Sequence, residues 1–206
     1  MWHQIIRDAV MLFVVIDPIG TLSLFLGVTS HATPEQRRKI ALRCCLYSAV
    51  VLVGCIIFGE ILLLALGIRL VSFQIAGGIV LFLFGLQMVF GAGVANPSSE
   101  GEPSEDVAIF PLSIPSIASP GAIMAVVLLT ANDRHIMAEQ AITTVILLVI
   151  LGITYVMLLG ANKIQRVIGR GGANILIRVM GLILCALAVE TVGDGAVKIF
   201  VQMRPM

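Results

Sequence analysis

Long apolar runs separated by short polar breaks fill almost all of the 206-residue chain. Each run is close in length to the roughly 20 residues with which a helix crosses a hydrocarbon core about 30 Å thick. The pattern predicts an all-α polytopic membrane protein with six transmembrane spans. Their bounds are about 4–29, 40–66, 71–91, 107–131, 137–160 and 174–200.

Composition supports this class and excludes several others. Hydrophobic residues make up 59% of the chain and charged residues only 12%, which is too apolar for a soluble domain. The net charge is +1 and no basic cluster with interleaved aromatics is present, so we expect a lipid bilayer and no nucleic acid as partner. The four cysteines lack CxxC spacing and a neighbouring histidine, so we expect no metal and no bound cofactor.

The longest polar stretch, from Ala92 to Asp106, predicts an exposed linker because it is rich in Ser, Pro, Gly and acidic residues. It divides one membrane domain into a first unit at residues 1–92, a linker at 93–106 and a second unit at 107–206. Lys and Arg favour the cytoplasmic side of a membrane protein. The odd-numbered loops and their flanks hold eight of them, in the stretches 37–43 and 163–178, against five on the other side. We therefore expect both termini outside the cytoplasm.

The two halves resemble each other in the order and spacing of particular residues. Four pairs recur at a separation of 102 or 103 residues: Pro18 and Pro120, Gly67 and Gly169, Gly78 and Gly181, and Gln87 and Glu190. One such match arises by chance among glycine-rich apolar helices, but four in the same order indicate a duplication. Because each unit has an odd number of spans, three, the second unit enters the membrane from the opposite side. The pattern predicts two inverted-topology three-helix repeats, an architecture typical of secondary transporters.

A proline interrupts the first and fourth predicted spans at corresponding places, in "DPIG" (17–20) and "SPGA" (119–122). Proline lacks the amide hydrogen and disrupts the preceding helical turn. In both motifs a typical N-cap residue precedes a proline suited to the first helical position. Each second half-helix then begins near the middle of the membrane with free amide donors and a partial positive charge, which attract a carboxylate. Such broken spans in corresponding parts of two repeats indicate the binding site of a transporter.

The candidate substrate-binding residues lie at and beside these two interruptions: Asp17, Ile19, Gly20, Thr21, Ser116, Ser119, Gly121 and Ala122. The small residues among them would let a small anion or zwitterion approach the backbone. Asp17 serves either as a helix cap alone or also as the partner of a substrate ammonium or a coupling cation. A charged Asp near the bilayer centre costs about 2.5–3.5 kcal/mol on insertion scales, which favours a role beyond capping. Three other polar residues are second candidates, for coupling or for hydrogen bonds between helices: Glu60, Gln87 and Glu190.

The proline motifs resemble those of the MarC family of bacterial inner-membrane proteins. "PLSIPSIASPGAI" (111–123) is similar to the family's PLAIPLLAGPGAI-type signature, and "DPIGTLSLFL" (17–26) to its DPxGNLPIFL or NPIGALPIFL segment. The stretches 38–68 and 73–89 are also similar, so the resemblance covers nearly the whole chain. This chain departs from the family pattern at Thr21, Ser23 and Ser119, where hydroxyl groups replace Asn or Ala, Pro and Gly.

The resemblance implies a multi-pass protein of the bacterial inner membrane, grouped with the LysE-like exporter superfamily. It also implies a transporter of small neutral amino acids such as glycine and alanine, coupled to a Na⁺ or H⁺ gradient. An exporter of another small metabolite remains open. We expect no enzyme, because no histidine lies deep in a span and Asp194 is the sole candidate partner of Asp17 for an aspartyl protease. A scaffold without transport activity would have no use for broken helices at the midplane.

Overall fold

The computed structural model describes residues 2–90, 108–130 and 137–203, and these residues form helices and short connections without a strand. Five helical stretches are long and apolar enough to cross a membrane: Ile5–Val28, Pro34–Ala65, Leu70–Phe90, Gln140–Leu159 and Gly171–Val201. The prediction of an all-α polytopic membrane protein is confirmed at this level. The predicted linker at 93–106 lies outside the described residues.

The described residues form seven α-helices and one π-helical segment. They are α1 (Trp2–Ile16), α2 (Pro18–Val28), α3 (Pro34–Ala65), α4 (Leu70–Phe90), the π-helical segment (Ile109–Ile117), α5 (Pro120–Thr130), α6 (Met137–Leu159) and α7 (Ala161–Met203). The region predicted as the fourth span therefore holds two short helical pieces, of which α5 is apolar but shorter than a span.

Asp17 separates α1 from α2. Its backbone is left-handed, with φ 47° and ψ 70°, and it is the one residue other than glycine with positive φ in the described part of the chain. Asp tolerates this conformation better than most residues because its short polar side chain bonds locally. Pro18 follows as the first residue of α2, where its missing amide hydrogen removes no helical hydrogen bond.

The π-helical segment is irregular because of its prolines. Phe110 (φ −127°, ψ 127°) and Ile114 (φ −127°, ψ 124°) are extended inside it, and they directly precede Pro111 and Pro115. A residue before proline is driven out of the helical region by its clash with the proline ring. The amide of Ala118 donates to the carbonyl of Ser113 at 2.8 Å, which closes the last wide turn before α5 begins.

Glycines with positive φ mark one helix end and one kink. Gly67 (φ 66°) follows α3, and the amide of Ile68 donates back to Leu63 O at 2.9 Å, as in a Schellman cap. Gly169 (φ 71°) interrupts the helical dihedrals inside α7. The predicted sixth span begins near 174, but α7 already begins at Ala161. Its first part is rich in Lys, Arg and Gln, which are good helix formers in water, so the helix extends beyond the apolar span.

Helices α4 and α7 pack most extensively against each other, along a row of glycines. A Cβ on Gly85 would lie 2.8 Å from Gly181 O, and a Cβ on Gly181 would lie 2.8 Å from Gly85 O. Earlier on α4, a Cβ on Gly78 would lie 2.7 Å from Val192 Cγ2 and 3.3 Å from Ala188 O. Small residues at this crossing let the two backbones approach closely, as in many membrane helix pairs.

The short helix α5 lies in the core, against α1, α3, α4 and α6. Most of its side chains are buried, including those from Met124 to Val127. By contrast, α3 and α6 expose large apolar side chains such as Val50, Phe58 and Val156. Exposed apolar surface of this extent suits contact with lipid tails rather than water.

Candidate functional site

The first part of the site is the cap on α2. The carboxylate of Asp17 accepts a hydrogen bond from the amide of Gly20 at 3.1 Å, and the Asp17 carbonyl accepts one from the amide of Thr21 at 3.0 Å. Asp17 is only 3% exposed, although it is an acidic residue inside an apolar stretch. A Cβ on Gly20 would collide with the Asp17 carboxylate, so this capping geometry requires glycine at position 20.

The second part is the cap on α5, which has the same pattern. The hydroxyl oxygen of Ser119 accepts a hydrogen bond from the amide of Ala122 at 3.0 Å, three residues further on. The same hydroxyl donates to the carbonyl of Val15 at 3.4 Å. Val15 lies in the last turn of α1, where carbonyl groups lose their helical partners. Ser119 is 1% exposed, and its bond to Val15 O joins the start of α5 to the end of α1.

A second polar contact links the same two segments. The hydroxyls of Thr21 and Ser116 lie 2.9 Å apart and form a hydrogen bond in which either can donate. Thr21 is 2% exposed and Ser116 is half-buried. Two hydrogen bonds thus connect residues that are about half the chain apart in sequence.

The remaining predicted residues pack around these contacts. Gly121 and Ala122 are buried at the start of α5, while Ile19 and Gly20 are half-buried at the start of α2. A Cβ on Gly121 would lie 2.5 Å from Leu81 Cδ1 and 3.2 Å from Val15 Cγ1, so little room is left there for a larger residue.

The second candidates differ in burial. Glu60 is half-buried on α3, whereas Gln87 and Glu190 are exposed on α4 and α7. Because Gln87 and Glu190 are exposed, they do not belong to the buried polar group around Asp17 and Ser119.

Comparison with known proteins identifies the family of the chain. The family model described as MarC family integral membrane protein matches residues 2–200. The chain belongs to the MarC family. It is 36% identical over 194 residues to the UPF0056 inner membrane protein YhgN of Escherichia coli strain K12, which covers 94% of this chain and 96% of that protein. It is 36% identical over 188 residues to a UPF0056 membrane protein of Methanocaldococcus jannaschii, covering 89% and 91% of the two chains. No solved structure matches this chain.

This MarC family member is therefore a multi-pass integral membrane protein, and the resemblance seen in its proline motifs is confirmed. The matched region includes both interruptions and all of the candidate substrate-binding residues.

Sequence reasoning missed one prominent polar residue, Arg37 in the first turns of α3. Its guanidinium donates to Thr29 O at 3.0 Å, to Ser30 O at 3.1 Å and to Asn162 Oδ1 at 2.7 Å. It therefore ties the end of α2 to the start of α7. Gln140 has a related position in the second half, because its side-chain amide donates to Thr130 O at 2.7 Å at the end of α5. The sequence signal that could have pointed to Arg37 is its separation of 103 residues from Gln140, at which the two halves repeat.

Metal ligation has no support in the described ranges 2–90, 108–130 and 137–203. No group of three or more His, Cys, Asp or Glu side chains there could hold a metal ion. The chemistry available at the two interruptions is instead that of hydroxyls, one carboxylate and helix N-termini.

Proposed function

We propose that this chain is a secondary transporter that carries small neutral amino acids, such as glycine and alanine, across the bacterial inner membrane. The observation that carries this proposal is the bond from Ser119 Oγ to Val15 O, at 3.4 Å. This buried polar contact joins the end of α1 to the residue before α5. Irregular backbone at membrane depth is tolerated where it is buried in protein or lines a cavity, and in transporters it forms the binding site.

The proposed architecture has six spans arranged as two inverted three-helix repeats. In it, the π-helical segment and α5 together form the fourth span. Several residues at equivalent positions share a backbone or capping feature, which supports the repeat. The positive-φ glycines in the described residues, Gly67 (66°) and Gly169 (71°), are 102 residues apart. The caps at Asp17 and Ser119, also 102 apart, each accept from the amide three residues on.

The ends of the two half-helices support the same repeat. The Thr29 hydroxyl donates to Phe25 O at 2.6 Å at the end of α2, and the Thr130 hydroxyl donates to Val126 O at 2.6 Å at the end of α5. The Thr29 carbonyl accepts from Arg37, and the Thr130 carbonyl accepts from Gln140. A chance likeness between two apolar helices would not extend to both the caps and the carbonyl partners.

The crossing of α4 and α7 supports an inverted rather than a parallel repeat. At a separation of 103 residues, Gly78 is equivalent to Gly181 and Gly85 is equivalent to Ala188. The contact between Gly78 and Ala188 is therefore equivalent to the contact between Gly181 and Gly85, and both contacts are present. The sulfur of Cys185 lies 3.7 Å from the carbonyl of Phe82, its own equivalent, so a two-fold axis would pass between them. Residue numbers rise along α4 while those of its partners fall along α7, so the helices are antiparallel. An axis that relates antiparallel spans lies in the membrane plane.

In the proposed mechanism the substrate carboxylate meets the N-terminal ends of α2 and α5, where the helix dipoles favour negative charge. Thr21, Ser116 and Ser119 offer hydroxyl groups beside it. Asp17 would hold the substrate ammonium or a coupling cation, Na⁺ or H⁺. The close packing of Gly20 and Gly121 favours small side chains on the substrate. The two repeats would then rock against each other and expose this site to each side in turn.

Other functions have less support from the structure. An intramembrane aspartyl protease would need Asp194 beside Asp17, but Asp194 is exposed on α7 whereas Asp17 is buried. The proposal therefore includes no catalytic role. Export of another small zwitterion would use the same site. The transport assay distinguishes this function from uptake of glycine and alanine.

The test is uptake of labelled amino acids into proteoliposomes, with Na⁺ and proton gradients imposed separately. We expect uptake of glycine and alanine, with stronger competition by small than by bulky amino acids. Equal competition by leucine and phenylalanine, or no gradient-dependent uptake of any amino acid, would overturn the proposal.

Asp17→Asn is the decisive variant because Asn caps a helix about as well as Asp and tolerates the left-handed conformation. The fold should persist while the charge is lost. Losing a hydrogen bond to a charged group costs about 1.5–3 kcal/mol, which predicts a roughly 10- to 150-fold loss of substrate or ion affinity. Asp194→Asn is the matched control and should transport like the wild type. Wild-type transport by a folded Asp17→Asn protein would show that Asp17 is only a cap.

A further inference from the structure

A separate pocket of about 100 Å³ lies between the end of α2, the start of α3 and the junction of α6 with α7. Its lining combines apolar residues, including Phe25, Leu158 and Leu159, with two basic residues, Arg37 and Arg38. None of these residues belongs to the caps at Asp17 and Ser119. The pocket is therefore distinct from the candidate substrate site.

The position of the pocket along the spans matches the depth of lipid headgroups. Three stretches that can cross a membrane end or begin beside it, at Val28, Pro34 and Leu159. Leu159 is 47% exposed and would face lipid at the boundary of the hydrocarbon core. An occupant of this pocket would thus have apolar groups on one side and the aqueous boundary on the other.

The residues that line the pocket include two arginines and, within the described part of the chain, no acidic residue. Arg37 is held by three acceptors, but all are neutral: two carbonyls and the amide oxygen of Asn162. Arg38 is exposed and makes no hydrogen bond or ion pair with any residue of the described ranges. The exposed Lys163 and Arg166 follow at the start of α7.

The main-chain amides at the start of α3 are not the groups that would bind a ligand. A capping box is present, since Gln36 N donates to Thr33 Oγ1 at 3.3 Å and Thr33 N donates to Gln36 Oε1 at 2.8 Å, and Pro34 has no amide hydrogen. The groups left to recognise a ligand are the guanidiniums, whose planar donors match the oxygens of a phosphate group.

We propose that this pocket binds the phosphate group of an anionic phospholipid, with Arg38 as the principal contact and Arg37 as a fixed second charge. Basic pockets between helices at the cytoplasmic boundary bind the headgroups of anionic lipids. The apolar wall at Leu158 and Leu159 would accommodate the start of an acyl chain, which a free phosphate ion lacks. A bound lipid would contact both halves of the chain, because the pocket includes α2 and α3 as well as α6 and α7.

The experiment measures lipid binding to the purified full chain by native mass spectrometry, with anionic and zwitterionic phospholipids titrated separately. A basic side chain beside an anionic lipid contributes about 1 kcal/mol, so Arg38→Gln should lower anionic-lipid affinity about five-fold. Lys39→Gln is the matched control, since Lys39 is the next exposed cation on α3 but does not line the pocket. It should change the affinity by less than about two-fold, and zwitterionic lipid should respond to neither variant.

Equal losses from Arg38→Gln and Lys39→Gln would mean diffuse surface attraction and would overturn the proposal. Wild-type affinity of Arg38→Gln would do the same. Arg38→Lys keeps the charge but lacks the planar donors, so its affinity should fall between those of the wild type and Arg38→Gln. Thermal unfolding of each variant shows that it is folded. A third arm titrates inorganic phosphate and follows thermal unfolding. Stabilisation by phosphate that depends on Arg38, without preference for anionic over zwitterionic lipid, would identify a soluble anion as the occupant and refute the lipid site.

Discussion

Replacing Gly181 by alanine should weaken the protein at the crossing of α4 and α7. The added Cβ would lie 2.8 Å from Gly85 O, 2.8 Å from Met88 Cβ and 3.1 Å from Val89 Cγ2. Two of these contacts are with atoms that cannot rotate away, because one is a backbone oxygen and the other a Cβ. Relief therefore requires the two helices to separate. Overpacking of a well-packed core costs about 1–3 kcal/mol, and we expect a loss of this size in the free energy of unfolding.

Gly193→Ala is the matched control on the same helix. A Cβ on Gly193 would have no atom within 4 Å, so this change adds only the helix preference of alanine over glycine. That preference is about 0.5–1 kcal/mol in favour of alanine, and Gly193→Ala should be neutral or stabilising. Gly181→Ala receives the same gain, so the difference between the two variants isolates the cost of the contact.

Unfolding by SDS titration in detergent micelles provides the measurement. Gly85→Ala should cost about as much as Gly181→Ala, because its Cβ would also lie 2.8 Å from the partner glycine's carbonyl oxygen. Gly78→Ala should cost less, since the nearest carbonyl oxygen, that of Ala188, would lie 3.3 Å away. If Gly181→Ala unfolds with the same free energy as Gly193→Ala, the close packing at this crossing does not contribute to stability and the reasoning fails.

Two further predictions concern hydrogen bonds between distant segments. A double-mutant cycle of Thr21→Val and Ser116→Ala should give a coupling free energy of about 0.6–1.7 kcal/mol in SDS unfolding, the range for hydrogen bonds between membrane helices; additive effects would contradict the 2.9 Å contact. Arg37→Ala should lower the free energy of unfolding by about 1.5–3 kcal/mol, because it removes three charge-assisted hydrogen bonds. Lys39→Ala, as the exposed control, should change it little, and an equal effect would refute the role of Arg37.

The starts of α2 and α5 could be predicted from the sequence because proline acts locally. Pro18 and Pro120 have fixed backbone requirements that hold in any tertiary setting, and each begins a helix in the structure. Gly78 and Gly181, which lie at the α4–α7 crossing, were likewise visible as a pair at the repeat separation. Both signals depend on residue type alone.

Other features depend on partners that residue type does not reveal. Arg37 binds two main-chain carbonyls, and every residue of the chain carries a carbonyl, so the sequence does not single out Thr29 and Ser30. The irregular stretch before α5 also extends beyond the predicted motif at 119–122. The residues before Pro111 and Pro115 are extended, which carries the irregular backbone back to Phe110.

The left-handed backbone of Asp17 could not be predicted, because N-cap residues usually have extended dihedrals. Its cause is tertiary: the chain must turn between two half-helices whose ends are held by contacts with the π-helical segment and α5. Aspartate and asparagine are the residues other than glycine that best tolerate this conformation.

The charge of Asp17 still requires an explanation, since neither the cap nor the backbone conformation needs it. Ser119 shows that a neutral oxygen suffices to cap the equivalent helix in the same buried setting. Asparagine would satisfy both the cap and the left-handed backbone without bringing a carboxylate into an apolar stretch. A buried carboxylate is costly unless a positive group compensates it, and in the described residues Asp17 accepts its side-chain hydrogen bond from a neutral amide. The proposed transport function supplies the missing positive group as the substrate ammonium or the coupling cation. It thereby accounts for an aspartate at the first interruption and a serine at the second, because a single zwitterion brings one ammonium group.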